Sequence, residues 1–285
     1  MSTPPYIGRI APSPTGYLHL GHARTFWIAY QRSLAAGGAL LLRNDDLDPH
    51  RSRPEFIAAM LEDLHWLGIR WQPPVIHQSE RLPLYRAALD QLIATGYAYP
   101  CTCTRKDLAT SSHAPHEEQD DEPIYPGRCR PSTELSAPHL ASEKWVRETH
   151  APITWRFRIP DAAPITFTDA NVGPQTFTPQ RDFGDFLLWS RDGIPSYQLA
   201  CVVDDAALGI TEVVRGADLL RSTARQILLQ RALDLPTPAY FQCSLLRDDS
   251  GIRLAKRHDA LALRTLRAAG HTPAELIARF DLTLP

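Results

Sequence analysis

Residues 9–22 of this chain read RIAPSPTGYLHLGH, which is the most informative stretch of the sequence. Its two prolines and first glycine predict a tight turn, after which His19 and His22 open a helix. The N-terminus of a helix carries unpaired N–H groups and a partial positive charge, so it favours phosphate. Histidines three apart share one face and can donate to phosphate oxygens, and Gly21 leaves room for a nucleotide against the backbone.

Two common nucleotide-binding patterns are absent from the sequence. It contains neither a Gly-x-x-x-x-Gly-Lys loop nor a Gly-x-Gly-x-x-Gly loop. A strand-to-helix turn with surface histidines would account for the His-Leu-Gly-His fragment by itself. That interpretation accounts poorly for the whole run of residues 9–22, so the sequence favours nucleotide binding there.

The whole run closely resembles the ATP-binding element of class I aminoacyl-tRNA synthetases, and within them the glutamyl-tRNA synthetase group. The resemblance implies that Pro12, Gly21, His19 and His22 bind ATP, with the two histidines in a catalytic role. It also implies a Rossmann-like α/β fold and further motifs at set places downstream.

Composition limits the class of protein. The chain has 285 residues, of which 44% are hydrophobic and 22% charged, as in a soluble globular protein. A net charge of −2 argues against a protein that coats nucleic acid indiscriminately, although a local basic groove stays possible. No apolar run is long enough to span a membrane, and residues 1–5 lack a signal-peptide core, so neither a membrane span nor a signal peptide is expected. Five cysteines, an odd number, fit a reducing cytoplasm, where we expect this protein.

Strands and helices are predicted to alternate along residues 1–100. Strands are expected at 6–10 and 39–43, and helices at 21–36, from 54 to 68 and at 84–93. Strand, helix, strand and helix in this order favour a parallel sheet with right-handed crossovers. These residues therefore predict the first half of a Rossmann-like catalytic domain.

The rest of the chain is predicted to contain an insertion and the second half of the same sheet. Residues 101–190 form the insertion, an α/β subdomain of the zinc-binding or acceptor type with a strand at 155–159. The parallel layer resumes over 191–247, with strands at 197–204, 210–215 and 240–246 and a helix at 217–233. Residues 248–285 hold an ATP-motif loop and short helices, one of which starts with the capping box formed by Thr272 and Glu275.

Acidic residues follow the second predicted strand, where residues 43–48 read RNDDLD. Ligands of open α/β sheets bind beyond the carboxyl ends of the strands, so these acids are placed to meet a substrate. The corresponding family motif reads Arg-Ile-Glu-Asp-x-Asp, which implies that Asp45 contacts the ammonium group of an amino acid. Without the resemblance, a solvated turn rich in aspartate is the alternative interpretation.

A second segment, residues 196–218, resembles the part of the family that contacts the substrate. The resemblance implies that Tyr197 and Arg215 bind glutamate together with Arg9 and Ser13. Arginine suits this role because its planar fork matches a carboxylate. We expect Arg9 to be the strongest candidate for the γ-carboxylate, since it ends the first strand beside the nucleotide turn. Asp218 either opens the next helix or binds substrate.

The third constellation is residues 253–257, RLAKR. It occupies the place of the family's second ATP motif, Lys-Leu-Ser-Lys-Arg in many members. The match implies that Lys256 is catalytic and stabilises charge on the departing pyrophosphate. A basic loop without a role in ATP binding is the alternative. Mg²⁺ is expected to accompany ATP.

Three cysteines of the insertion suggest a metal site. Cys101 and Cys103 are followed by Cys129, and a structural zinc site needs four ligands. The resemblance supplies Tyr125 as the fourth, because zinc-binding members carry Cys-x-Cys followed by Tyr-x₃-Cys. The alternatives are His113 or His116 as the fourth ligand, or no metal. We expect one structural zinc ion.

Only about thirty residues follow Lys256, so no anticodon-binding domain is expected. With that layout the chain resembles the glutamyl-Q tRNA(Asp) synthetases over nearly its full length. The resemblance implies a monomeric enzyme that activates L-glutamate with ATP and transfers it to queuosine in tRNA(Asp). One alternative is a glutamyl-tRNA synthetase core that charges a tRNA 3′ end with a separate anticodon-binding partner. The other is a nonenzymatic RNA-binding protein.

Overall fold

The computed structural model of the protein describes residues 5–104, 124–131, 153–160, 163–246 and 262–280. Two short 3₁₀ turns, Gln78–Glu80 and Ala217–Leu219, join elements within these ranges. The amino-terminal elements are β1 (Ile7–Ile10), α1 (Leu20–Ala35), β2 (Ala39–Asn44), α2 (Pro54–Trp66), β3 (Gln72–His77) and α3 (Leu82–Ala94).

Among the described residues, five strands lie in the central part of the chain and six elements follow them. The central strands are β4 (Ala98–Cys101), β5 (Thr154–Phe157), β6 (Ile165–Asp169), β7 (Gly173–Phe177) and β8 (Leu187–Trp189). The remaining elements are α4 (Tyr197–Ala207), β9 (Glu212–Gly216), α5 (Leu220–Ala232), β10 (Ala239–Cys243), α6 (Leu263–Ala268) and α7 (Pro273–Ala278).

The main sheet has five strands in the order β10-β9-β1-β2-β3. Every pair of neighbouring strands runs parallel, with Ile7 opposite Ala39 and Gly8 opposite Glu212. The predicted parallel α/β sheet is therefore confirmed. Its consequence for function is that β1, β2 and β9 all end at one edge, where the polar residues that follow them meet.

Strand β3 was not expected from the sequence. It contains Pro73 and Pro74, which lack backbone N–H groups and usually disfavour a strand. The strand lies at the edge of the sheet, where a missing donor costs little.

The central strands form two smaller antiparallel sheets. Strands β4, β5 and β8 pair in that order, and β6 pairs with β7 as a hairpin. Buried residues of these strands, for example Phe157 and Leu188, share a core with residues of α3, α4 and α5 such as Leu89, Leu199 and Leu228. The division of the chain at residues 100, 190 and 247 stays a prediction.

The prediction of a strand at residues 197–204 is wrong. These residues form helix α4, which begins where the Ser196 hydroxyl accepts a bond from the Leu199 N–H at 3.3 Å. Because Ser196 caps the helix, the apolar run that follows it packs as one buried helical face. The apolar run predicts a buried strand because a short apolar stretch does not distinguish a buried strand from a buried helix.

Other predicted elements agree with the structure to within a few residues. The strand expected at 210–215 is β9, and the capping box at the start of α7 is present, with Glu275 N–H donating to Thr272 Oγ1 at 3.3 Å. Within the described ranges, no helix is long and apolar enough to cross a bilayer.

Candidate active site

The two histidines of the opening stretch form the start of α1. The Gly21 N–H donates to His19 Nδ1 at 3.2 Å, and the His19 N–H donates to His22 Nδ1 at 3.3 Å. The His22 N–H also donates to the His19 side chain, so the two histidines form a reciprocal capping box, and their rings stack with centroids 3.7 Å apart. A side chain at Gly21 would press on the His19 ring, since its Cβ would lie 3.1 Å from Cε1.

This capping box determines where the imidazole protons reside. A backbone N–H can only donate, so Nδ1 of each ring must accept. The neutral rings therefore carry their proton on Nε2. Nε2–H is a donor, the type of group that can bond a phosphate oxygen.

The chain returns to this element after β10. It passes Leu246 and is next described at Ala262, which forms a bridge with His19, while the Leu263 N–H donates to the Leu18 carbonyl at 2.8 Å. Arg24 of α1 donates to the Ser244 carbonyl at 2.6 Å. Lys256, together with Arg253 and Ala255, lies outside the described residues.

A buried cluster of charges occupies the carboxyl edge of β1 and β2. Arg43 donates to Asp45 at 2.6 Å and to Asp205 at 2.7 Å, and its side chain is fully buried. Arg9 donates through Nε to the same Asp205 at 3.2 Å and through Nη1 to the Val214 carbonyl at 3.4 Å. Asp205 therefore links Arg9 of β1 to Arg43 of β2.

Asp204, the neighbour of Asp205 on α4, extends the cluster towards α3. It accepts bonds from Arg81 at 2.6 Å, from Gln78 at 2.8 Å and from the Tyr85 hydroxyl at 2.8 Å, and it is fully buried. We call the six charged residues of this region the ion-pair cluster: Arg9, Arg43, Arg81, Asp45, Asp204 and Asp205. Three guanidinium groups face three carboxylates, so the cluster is balanced in charge.

The pKa values of the two acids nearest the strand ends, Asp45 and Asp205, shift in opposite directions. Burial opposes ionisation of Asp205, but the guanidinium groups of Arg9 and Arg43 outweigh it and hold the pKa of Asp205 below its usual value. For Asp45, burial outweighs the attraction of Arg43 and raises its pKa. Asp205 therefore stays ionised to a lower pH than Asp45 does.

Arg215, at the end of β9, has a different environment. It donates to the Tyr197 hydroxyl at 3.2 Å, to Gln226 Oε1 at 2.8 Å and to Thr223 Oγ1 at 2.7 Å, with a longer contact of 3.5 Å to the Leu219 carbonyl. We call these four groups the Arg215 cage. Arg215 is 5% exposed, and within the described residues all of its hydrogen-bond partners are neutral.

The structure brings most of the predicted glutamate residues to one edge of the sheet. Arg9 bonds to the carbonyl of Val214, which precedes Arg215, and Tyr197 bonds to Arg215 while staying 38% exposed. The loop before α1 is tied to β2, since the Asp45 N–H donates to the carbonyl of the buried Pro12 at 3.0 Å. Ser13 lies on this loop and is exposed.

A second cluster lies in the inserted region. The sulfur atoms of Cys101, Cys103 and Cys129 lie within 4.8 Å of one another, and Tyr125 Oη lies 3.4 Å from Cys101 and 3.6 Å from Cys103. A tetrahedral zinc with bonds of about 2.3 Å to sulfur separates its sulfur ligands by roughly 3.8 Å. The residues present therefore fit a metal ion. The rival ligands His113 and His116 lie outside the described residues.

The pKa values of two thiols in this cluster shift in opposite directions, since burial raises that of Cys103 to about 11. Burial opposes ionisation of Cys129, but hydrogen bonds from the Thr102 backbone and from Tyr125 lower its pKa to about 6. The thiolate is the form that binds a metal. By contrast, burial raises the pKa of Cys201 and of Cys243 to about 12, so these thiols stay protonated in the core.

Comparison with known proteins gives the family. Residues 7–283 match the model of the class I tRNA synthetases (E and Q), catalytic domain. The chain is 46% identical over 279 residues to a glutamyl-Q tRNA(Asp) synthetase of Symbiobacterium thermophilum, covering 95% of this chain and 84% of that protein. It is 42% identical to the enzyme of that name from Rhodobacter capsulatus, covering 95% and 98% of the two chains. The chain belongs to the glutamyl-Q tRNA(Asp) synthetase family.

A solved structure supports the fold assignment. The chain superposes on a glutamate tRNA ligase from Elizabethkingia meningosepticum, crystallised with its amino acid, with a TM-score of 0.74 and 29% identity. The match covers 88% of this chain and 52% of the ligase, so the chain spans about half the length of that protein. Members of the glutamyl-Q tRNA(Asp) synthetase family are ligases, which confirms the predicted class of enzyme.

Sequence reasoning missed several residues of the site. Arg43 and Asp205 lie within the motif segments 43–48 and 196–218 but carry no predicted role, and none is predicted for Gln226 or Thr223. A signal for Asp205 was present, because two adjacent acids within an apolar run must find cations when the run is buried. Gln226 and Thr223 gave no such signal, since neutral polar residues on a helix are usually exposed.

Proposed function

We propose that the protein activates L-glutamate with ATP and transfers the glutamyl group to queuosine in tRNA(Asp). The observation that carries this proposal is Arg215, a buried cation whose described hydrogen-bond partners are neutral. A buried charge is costly unless it is paired. The side-chain carboxylate of glutamate supplies the missing negative charge, and Tyr197, which bonds to Arg215, is 38% exposed to solvent.

Four further residues complete the amino acid site. Tyr197 accepts from Arg215, which leaves its own O–H free to donate to the substrate carboxylate. Arg9 adds positive potential from β1, although Asp205 offsets part of its charge. Asp45 pairs with the substrate ammonium group, and Ser13 contacts glutamate from the exposed loop.

ATP lies against the opening loop and the start of α1. Pro12 and Gly21 shape this surface, and His19 and His22 donate from Nε2 to phosphate oxygens. Lys256 stabilises the charge that develops on pyrophosphate, and Mg²⁺ accompanies the nucleotide. The described flanks support the assignment of Lys256, since Ala262 pairs with His19 and Ser244 accepts from Arg24.

The chemistry is two displacements. An oxygen of the substrate α-carboxylate bonds to the α-phosphorus of ATP while the bond to pyrophosphate breaks, which gives glutamyl-adenylate. A hydroxyl of the queuosine cyclopentenediol then attacks the activated carbonyl carbon and AMP leaves, which forms the ester. The enzyme mainly positions these groups and stabilises developing charge, without a covalent enzyme intermediate.

The cysteine cluster holds one structural zinc ion. Cys101, Cys103, Cys129 and Tyr125 supply four ligands, which closes the coordination shell. Such an ion would fix the start of the inserted region against β4, on which Cys101 lies. Zinc content by atomic absorption, in the native protein and in Cys103→Ser, tests this assignment: about one ion per chain is expected in the first and less in the second.

The experiment that tests the acceptor uses two total tRNA pools, one with queuosine and one without. Radiolabelled glutamate and ATP are supplied with each pool, and acid-precipitable label is counted. Labelling of the queuosine pool alone supports the proposal. Equal labelling of both pools contradicts it and favours charging of a tRNA 3′ end.

Charging of a tRNA 3′ end is the second candidate because of the likeness to a solved glutamate tRNA ligase. A third, a nonenzymatic RNA-binding protein, is tested by glutamate-dependent ATP–pyrophosphate exchange. Both enzymes support exchange and an RNA-binding protein does not. Lys256→Ala should slow exchange strongly while glutamate binding persists, and exchange at the native rate would contradict the role given to Lys256.

A further inference from the structure

The described hydrogen-bond acceptors of the Arg215 guanidinium group are all neutral. Its Nη1 donates to Gln226 and Tyr197, and its Nη2 donates to Thr223 and to the Leu219 carbonyl. A carboxylate would be the usual partner for a buried guanidinium, as Asp205 is for Arg9 and Arg43. The cage therefore fixes the cation without neutralising it.

Gln226 is the central member of this cage. It lies on α5, is 2% exposed and accepts from Arg215 at 2.8 Å, which is the shorter of the two Nη1 bonds. Its own Nε2 has no hydrogen-bond partner among the described residues. A glutamate would fill the same space and form a stronger, charge-assisted bond with Arg215, yet the helix carries the amide.

Thr223 fixes the plane of the guanidinium from the other side. Its Oγ1 accepts from Arg215 at 2.7 Å and from Gln242 Nε2 at 2.9 Å, and it donates to the Leu219 carbonyl at 3.2 Å. Two acceptor positions and one proton are thus all in use. Arg215 cannot turn away from the substrate without breaking this arrangement.

We propose that Gln226 determines the specificity of the amino acid site. By holding Arg215 through a neutral acceptor, Gln226 reserves the positive charge for the side chain of the substrate. An anionic side chain, that of glutamate, is then favoured over the neutral amide of glutamine. This inference rests on the proposed function, since it names what selects the amino acid at that same site.

The test replaces the neutral acceptor by an acid. In Gln226→Glu the new carboxylate pairs with Arg215 and repels the substrate carboxylate. We expect kcat/KM for glutamate, measured by ATP–pyrophosphate exchange, to fall by about a hundredfold, mostly through KM. The preference for glutamate over glutamine should fall by at least roughly tenfold, because glutamine brings no charge to be repelled.

Two further variants separate charge from structure. Gln226→Leu removes the acceptor without neutralising Arg215, so it should lower activity but keep the preference for glutamate. Gln230→Glu is the matched control: Gln230 lies one turn later on α5, is equally buried and bonds to Tyr240 rather than to Arg215. It should also keep the preference.

Thr223→Asp approaches Arg215 from the opposite side and replaces Gln226→Glu if that variant does not fold. An unchanged glutamate preference in the folded acidic variant overturns the inference. So does an equal loss of preference in Gln230→Glu. If the native protein activates neither amino acid, the proposed function fails and the inference with it, whereas native activity with an unchanged variant preference contradicts the inference alone.

Discussion

The ion-pair cluster and the Arg215 cage both bury guanidinium groups at the same edge of the sheet, but they treat the charge differently. In the cluster, Arg43 bonds to Asp45 and Asp205 at 2.6 and 2.7 Å, and its charge is neutralised within the protein. In the cage, the described hydrogen-bond acceptors of Arg215 are amide, hydroxyl and carbonyl oxygens. The first arrangement pairs its charges within the protein, and we propose that the second leaves a cation for a ligand.

The presence or absence of a counter-ion indicates whether a buried charge has a structural role or binds a ligand. A charge that the protein neutralises contributes to the structure, although such pairs add little net stability over apolar residues. A charge that is desolvated, hydrogen-bonded and left without a counter-ion is costly to the free protein and strengthens binding of an anion. By this reasoning Arg215 ranks above Arg9 as the partner of the substrate side-chain carboxylate.

The largest expected effect follows from removing the cation of the cage. Arg215→Gln should lower kcat/KM for glutamate in pyrophosphate exchange by about a thousandfold, or roughly 4 kcal/mol, because an anionic side chain loses its partner. The Tm should stay at or above that of the native protein, since an unpaired buried charge is gone. A large fall in Tm with native activity would show that Arg215 belongs with the structural arginines.

The opposite result is expected in the ion-pair cluster. Asp205→Asn leaves three cations facing two carboxylates, so the free energy of unfolding should fall by about 3 kcal/mol at pH 7, measured by urea denaturation. Because the pKa of Asp205 is lowered in the folded protein, its contribution is present above the unfolded value of about 4. It is lost as the pH falls through the folded pKa, where the variant and native curves should converge.

Asp63 of α2 is a third buried charge, and its environment differs from those of the ion-pair cluster and of the Arg215 cage. Asp63 is fully buried and its nearest cation, Arg267 of α6, lies 3.6 Å away. Burial, only partly offset by Arg267, raises the pKa of Asp63 to about 6. A weakly paired acid in the core can become neutral by taking up a proton, so it needs no ligand to neutralise its charge.

This acid gives a prediction of the opposite sign. Since its folded pKa lies above the unfolded one, native stability should fall as the pH rises from about 4 to about 6. Asp63→Asn should therefore raise the free energy of unfolding at pH 8 by about 2 kcal/mol and give no gain at pH 4. Urea denaturation at the two pH values measures the difference, and an equal effect at both would contradict it.

The smallest effect is expected at the rim of the ion-pair cluster. The Arg81 side chain is 21% exposed, and Asp204 keeps its bonds from Gln78 and Tyr85 when Arg81 is replaced. Arg81→Gln should cost about 1 kcal/mol of unfolding free energy. A loss as large as that of Asp205→Asn would show that the whole cluster acts as one unit.

Much of the fold was predictable because its signals are local. The glycine and proline turns, the helical spacing of apolar residues and the capping box at Thr272 each depend on neighbours in sequence. The segment from Tyr197 to Asp204 was misread because its deciding feature, the cap at Ser196, is weaker than the apolar pattern. Strand β3 was not predicted because its two prolines usually disfavour a strand and are tolerated only at the edge of a sheet.

The family, the parallel α/β sheet and the motif residues can be recognised from the sequence, since they depend on order and spacing along one chain. Which charges meet depends on how distant segments pack in the folded protein. Arg9 and Asp205 are 196 residues apart and lie 3.2 Å apart in space, while Arg215 finds Gln226 on a helix that the motif did not include. The physical reason is that the energy of a buried charge depends on its partners and its exposure to water, which folding alone brings about.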